Sequence, residues 1–140
     1  MRRIGGVVAG LAIAMAFIMG SELITHVMYP PPAGMDMMNL EQVKPYLATL
    51  PAAAFAIVLG GHLLGTLLGT ATTAGIAKDR RPAYVLGVFL FAGGIYNAIK
   101  IPQPAWFSIG SFAVYMIATL IGARIGARRR SVVEAAAALP

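Results

Sequence analysis

The chain has 140 residues, of which 59% are hydrophobic and only 11% charged, with a formal net charge of +6. A soluble domain of this size would have too little polar surface to stay dispersed, so the composition excludes a water-soluble globular protein. Cysteine is absent, which removes disulfides, thiol catalysis and cysteine-ligated metals.

The apolar residues fall into blocks at 4–28, 50–77, 83–101 and 106–127. Each approximates the roughly 20 residues that cross the hydrocarbon core of a bilayer. Backbone groups in lipid must be satisfied within the segment, so each block is expected to be a helix. None shows the alternating pattern of a membrane barrel strand. The fold class expected is therefore an all-α bundle of four transmembrane helices.

The first block follows Arg2 and Arg3 and contains Ala14-Met15-Ala16, the outline of a secretory signal. Cleavage there would leave too short a signal, so the block is expected to stay as a helix. It ends by carrying Glu22 and His26 one helical turn apart. Pro30, Pro31 and Pro32 then force an extended exit. In the outer loop 29–49, Leu40, Val43, Tyr46 and Leu47 recur at helical spacing. That segment reads either as a short surface helix broken near Pro45 or as an extension of the second helix.

The second block carries Gly61, Gly65 and Gly69 at four-residue spacing, and the fourth carries Ala118, Gly122 and Gly126. Small residues that let backbones approach mark contact faces in lipid. The simplest layout packs the second helix against the fourth or against a neighbouring subunit, and the second of these would make a homo-oligomer or part of a larger membrane complex; spacing does not decide between them. In the first block only Gly6 and Gly10 have this character. Beside the glycines of the second block runs a polar stripe of His62, Thr66, Thr70 and Thr73. The third block ends with Asn97 and Lys100 before Pro102 and Pro104, and the fourth descends through Ser108, Ser111 and Tyr115.

Arg2, Arg3, Lys78, Arg80, Arg81, Arg124, Arg128, Arg129 and Arg130 fall on one side of an alternating topology, against Lys44 and Lys100 on the other. By the positive-inside rule both termini and the tail 128–140 are cytoplasmic, with 29–49 and 100–105 outside. Tyr29, Tyr46, Trp106 and Phe107 fit the outer interface and Tyr84 the inner one. The basic residues are expected to meet anionic lipid head groups. Nucleic acid is excluded, because no soluble domain exists to present to it. The endings "ELITHVMYPPP" and "GIYNAIKIPQP", and "AGIAKDRR" and "ARIGARRR", echo one another. Two parallel two-helix repeats would produce this echo, and so would topology alone.

A charge at the centre of a bilayer costs roughly 2.5–3.5 kcal/mol on insertion scales, so polar residues there face the bundle. Glu22, His26, Asn97 and Lys100 converge at one depth, with His62 below. Three readings compete. In a structural one, Glu22 pairs with Lys100 or His26 and the threonines bond their own helix carbonyls. In a second, Glu22 and His62 serve a ligand or proton pathway. In a third, Glu22, His26 and His62 with Met35, Met37 and Met38 hold copper, against which the two histidines sit at different depths. No cofactor is expected, and the motifs HExxH and GxSxG are missing, so catalysis is not expected either.

The runs "YPPPAGMD", "ATLPAAAF", "GGHLLGTLLG" and "IPQPAWF" extend over nearly the whole chain. In them the protein resembles a family of small, uncharacterised four-helix bacterial inner-membrane proteins. The resemblance implies a multi-pass protein of the bacterial inner membrane and carries no activity or substrate. The function expected is that of a binding, accessory or assembly subunit holding lipid or a partner protein. The alternative is a small oligomeric transporter or channel using Glu22 and His62.

Overall fold

The structure, a computed structural model, describes residues 1–137, with side chains through Arg128. The expected basic residues Arg129 and Arg130, as side chains, and positions 138–140 of the tail lie outside that description. The described residues form five helices: α1 (Arg2–Met28), α2 (Leu40–Thr49), α3 (Ala52–Ala77), α4 (Arg81–Lys100) and α5 (Ala105–Ala137). Four stretches are long and apolar enough to cross a membrane: α1, α3, α4 and Ala105–Arg128 of α5. Their large apolar side chains are widely exposed, as in Val27 and Ile99, at 72% and 76%. That exposure suits lipid rather than water.

Proline and local caps set the boundaries. Tyr29 leaves the helical region before Pro30, and Ile101 does so before Pro102, because the ring of a proline clashes with a helical predecessor. Asn39 starts α2 by accepting a 3.1 Å hydrogen bond from the Glu41 N–H. The expected break near Pro45 is not there: α2 runs through it. Proline at this place removes one helical bond, to the carbonyl of Glu41, and Glu41 is an exposed residue. Nor does α2 lengthen the second apolar helix, since extended backbone at Leu50 and Pro51 separates it from α3. α3 ends where Lys78 takes a left-handed conformation (φ 58). Asp79 then accepts a 3.0 Å bond from the Arg81 N–H at the start of α4. The fourth apolar helix passes its expected end at residue 127 and continues to Ala137.

α3 is the hub, packed on one face against α1 and on another against α5, while α4 leans on α5, α3 and, more lightly, α1. Here the structure corrects the expected layout. Gly61, Gly65 and Gly69 face α1, not the fourth apolar helix. A methyl group at Gly65 would stand 2.7 Å from the carbonyl oxygen of Ala14, and one at Gly69 2.6 Å from that of Gly10. The fourth apolar helix does meet α3, but through its own Gly122 and Gly126, which lie on Leu67, Thr70 and Ala71. Four-residue glycine spacing marks a face without naming its partner. All these faces are used within one chain.

The threonines lock the same seams. Thr73 donates to its own helix at Gly69 O (2.9 Å) and across to Gly6 O of α1 (3.0 Å). Thr70 donates to Thr66 O (2.7 Å). Thr66 and Thr119 are buried with hydroxyls that find no hydrogen-bond partner among the described residues. A core of Ala14, Ile18, Leu86, Leu90 and Tyr115 ties α1, α4 and α5 midway along the bundle.

Candidate functional site: a roofed cavity between α1 and α4

Above that core, toward the proline-bearing loops, α1 and α4 diverge and enclose a cavity of about 620 Å³. Its back wall comes from α3 and α5, where Ala54, Phe55, His62, Phe107 and Ser111 are buried. Its mouth is formed by Glu22, Leu23 and His26 of α1 and Asn97 of α4, all exposed. The opening is therefore lateral, between two membrane-crossing helices. Glu22 is six residues before Met28, about 9 Å along the axis at 1.5 Å per residue.

Of the expected cluster, Glu22, His26, His62 and Asn97 share this cavity and Lys100 does not. The Lys100 ammonium lies 6.0 Å from the centroid of the Tyr96 ring on its own helix. The expected ion pair between Glu22 and Lys100 is thus not formed. Lys100 lies nearly one turn beyond Asn97 on the same side of α4, at the last residue of the helix, and a lysine at a helix end reaches for the interface instead of turning back into the cavity. Glu22 makes no ion pair or hydrogen bond with any described residue. Among the described residues no three His, Asp or Glu side chains gather as a metal would require. Of the loop methionines, Met37 lines the cavity while Met35 and Met38 do not.

His62 is held more tightly than the others. Its Nδ1 stands 3.3 Å from Ser111 Oγ, and its ring stacks on Tyr115 at 5.2 Å between centroids and 26° between planes. Tyr115 can reach that position because α4 presents Gly94, where a methyl would come within 2.6 Å of the tyrosine ring. The Phe107 ring lies 5.9 Å from that of His62, tilted by 45°. An aromatic chain continues outward through Phe55 to Trp106, which lies 6.1 Å from Phe55 and 6.0 Å from Phe107.

α2 roofs the cavity with Leu40, Val43, Tyr46 and Leu47. These are the residues whose helical spacing is visible in the sequence, turned inward over the space. The backbone of α2 packs closely on none of the long helices. Among the described residues one hydrogen bond ties it to the end of α1, where Tyr46 Oη donates to the carbonyl of Tyr29 at 2.5 Å, and a second ties it to the loop before it, where Gln42 Oε1 accepts from the Asp36 N–H at 2.8 Å. Burial pushes the Tyr46 phenol above its ordinary value, so the donor keeps its proton.

Phe55, Val58 and Gln103 of the cavity lining are not singled out by sequence reasoning, and Phe107, expected at the outer interface, is instead buried in the cavity wall. Phe55 and Phe107 each occupy the first turn after a proline-marked boundary, Pro51 and Pro104, which is the one local signal that pairs them. Gln103, donating to Ser108 Oγ at 3.0 Å, closes the α4–α5 corner. No family model, curated protein or solved structure matches the chain.

Proposed function

We propose that the protein is a non-enzymatic membrane binding protein whose cavity receives an amphiphilic molecule sideways from the lipid. The apolar body of the ligand rests on Phe55, Val58 and Phe107, and its cationic or hydrogen-bond-donating head meets Glu22. The observation that carries this reading is the unpartnered Glu22 carboxyl in the wall of a largely apolar cavity of about 620 Å³. A carboxylate away from water is costly without a partner, and a ligand head group supplies one. Asn97 and His62 add neutral hydrogen-bonding groups, the sparse polar complement usual in small-molecule pockets.

The basic residues Arg2, Arg3, Lys78, Arg80, Arg81, Arg124 and Arg128 gather at one end of the helices. On this reading the protein sits in a bacterial inner membrane with both termini cytoplasmic and the cavity in the periplasmic leaflet. Transport through Glu22 and His62 is less favoured, because Ile18, Leu90 and Tyr115 close-pack directly beneath the cavity. Assembly through the glycine stripes is less favoured as well, because α1 and α3 already fill them.

Trp106 is the only tryptophan and adjoins the cavity wall, so its fluorescence tests the proposal. Octylamine, octanol and octanoate titrated into the detergent-solubilised protein should separate. The amine should change the emission saturably at the lowest concentration, and Glu22→Gln should remove its advantage over the alcohol. Equal responses to all three by the unaltered protein would refute the reading.

A further inference from the structure

The same α1–α4 seam carries a second cleft at its opposite, arginine-bearing end. It is a groove of about 400 Å³ with Val7 and Val8 of α1 and Val85 of α4 along its length and Arg3 and Arg81 at its head. Val8 and Val85 are 61% and 64% exposed, so the groove faces the surroundings of the bundle and not its interior. Arg3 is steadied from one side, its Nη2 lying 3.1 Å from Asp79 Oδ2. The other oxygen of Asp79 accepts the Arg81 N–H. The Arg81 guanidinium makes no ion pair with any described residue. Two guanidinium groups against one carboxylate leave the head of the groove positive.

We infer that this groove binds an anionic phospholipid, with the phosphate at Arg3 and Arg81 and one acyl chain along Val7, Val8 and Val85. Val8 lies five residues beyond Arg3, about 7 Å along α1, the order of distance by which a lipid's acyl chain starts below its phosphate. Guanidinium forks match phosphate oxygens in geometry as well as charge. Basic clefts between membrane helices on the cytoplasmic side are recurrent sites for such head groups. A choline lipid would bring its own ammonium toward the two arginines, which disfavours it. A free phosphate would leave the apolar length of the groove unused.

Native mass spectrometry of the full chain, released from micelles holding equal dioleoyl phosphatidylglycerol and dioleoyl phosphatidylcholine, tests this directly. The unaltered protein should retain phosphatidylglycerol preferentially. Arg81→Gln should reduce that preference about fivefold, the usual effect of one basic residue at a membrane surface. Arg124→Gln, at the same end but outside the groove, should leave it unchanged, and Val85→Trp should reduce retention of both lipids by filling the channel. Excess soluble glycerol phosphate should not displace the lipid; displacement would reassign the head to a simple anion and overturn the proposal. Equal retention of the two lipids by the unaltered protein overturns it without any variant having to fold. Equal losses from Arg81→Gln and Arg124→Gln overturn it too, by showing only a general charge effect.

Discussion

The two ends of the bundle are built on opposite rules. Toward the arginines, helices approach until backbone carbonyls of α1 sit against glycines of α3, and Thr73 bridges the contact. Toward the prolines, α1 and α4 part, and the space is enclosed by aromatic side chains and a short helix tied to the end of α1 by the Tyr46 hydroxyl. In lipid no hydrophobic drive pulls helices together, so contact depends on how closely backbones can come. Glycine and threonine supply that closeness along the α1–α3 seam, through Gly61 and Thr25 toward the prolines as well, but not between α1 and α4 at that end. Stability is thus concentrated on the α1–α3 seam, which leaves the side between α1 and α4 free to hold a space.

The sharpest way to break this contrast is Gly65→Leu. Its Cβ would meet the Ala14 carbonyl oxygen at 2.7 Å, and backbone cannot yield as a side chain does. The expected cost is about 3 kcal/mol, read as a large fall in melting temperature in detergent. Gly93→Leu, where nothing lies within 4 Å, should change melting by no more than about 0.5 kcal/mol. Similar losses at both positions would mean that glycine contacts do not organise the bundle.

Next in size is Glu22→Gln, which should leave melting unchanged because no protein partner is lost. It should weaken an amine ligand by about tenfold, the usual worth of a hydrogen bond to a charged group. A marked drop in melting temperature would instead assign Glu22 a structural role. Within the packed end, Thr73→Val should cost about 1 kcal/mol through the lost bond to Gly6. Thr66→Val should be neutral or stabilising by about 1 kcal/mol, since its buried hydroxyl has no partner. Only the Thr73→Val melting curve should therefore fall. The smallest effect is expected at the roof. Tyr46→Phe removes about 0.5–1.5 kcal/mol of local bonding, seen as faster amide exchange in residues 40–49 with little change in global melting.

The four spans were legible in the sequence because a hydrocarbon core imposes length and composition on a segment whatever its neighbours. The back-bonding of Thr70 and Thr73 was legible for a similar reason, since it is decided within one helix. Depth along each helix was legible too, and it brought Glu22, His26, His62 and Asn97 to one cavity. The course of a long side chain was not, and there Lys100 was misassigned: it shares a side of α4 with Asn97, but from the last residue of the helix its ammonium lies by the Tyr96 ring and not in the cavity. The partner of the glycine stripe was hidden because spacing names a face and not what meets it. The cavity itself had no local signature. It arises from the divergence of α1 and α4 and from the separation of α2 by Leu50 and Pro51, both consequences of the whole arrangement.

The roof fastening has a consequence for how the chain can drift. Tyr46 grips the carbonyl of position 29, a group every amino acid possesses, and the prolines at 30–32 hold that carbonyl in place. Position 29 can therefore be replaced freely as far as this bond is concerned, while position 46 must keep a hydroxyl that reaches as far as a tyrosine's. Two residues joined by one hydrogen bond should thus evolve independently, and a search for paired substitutions would overlook the contact that fastens α2.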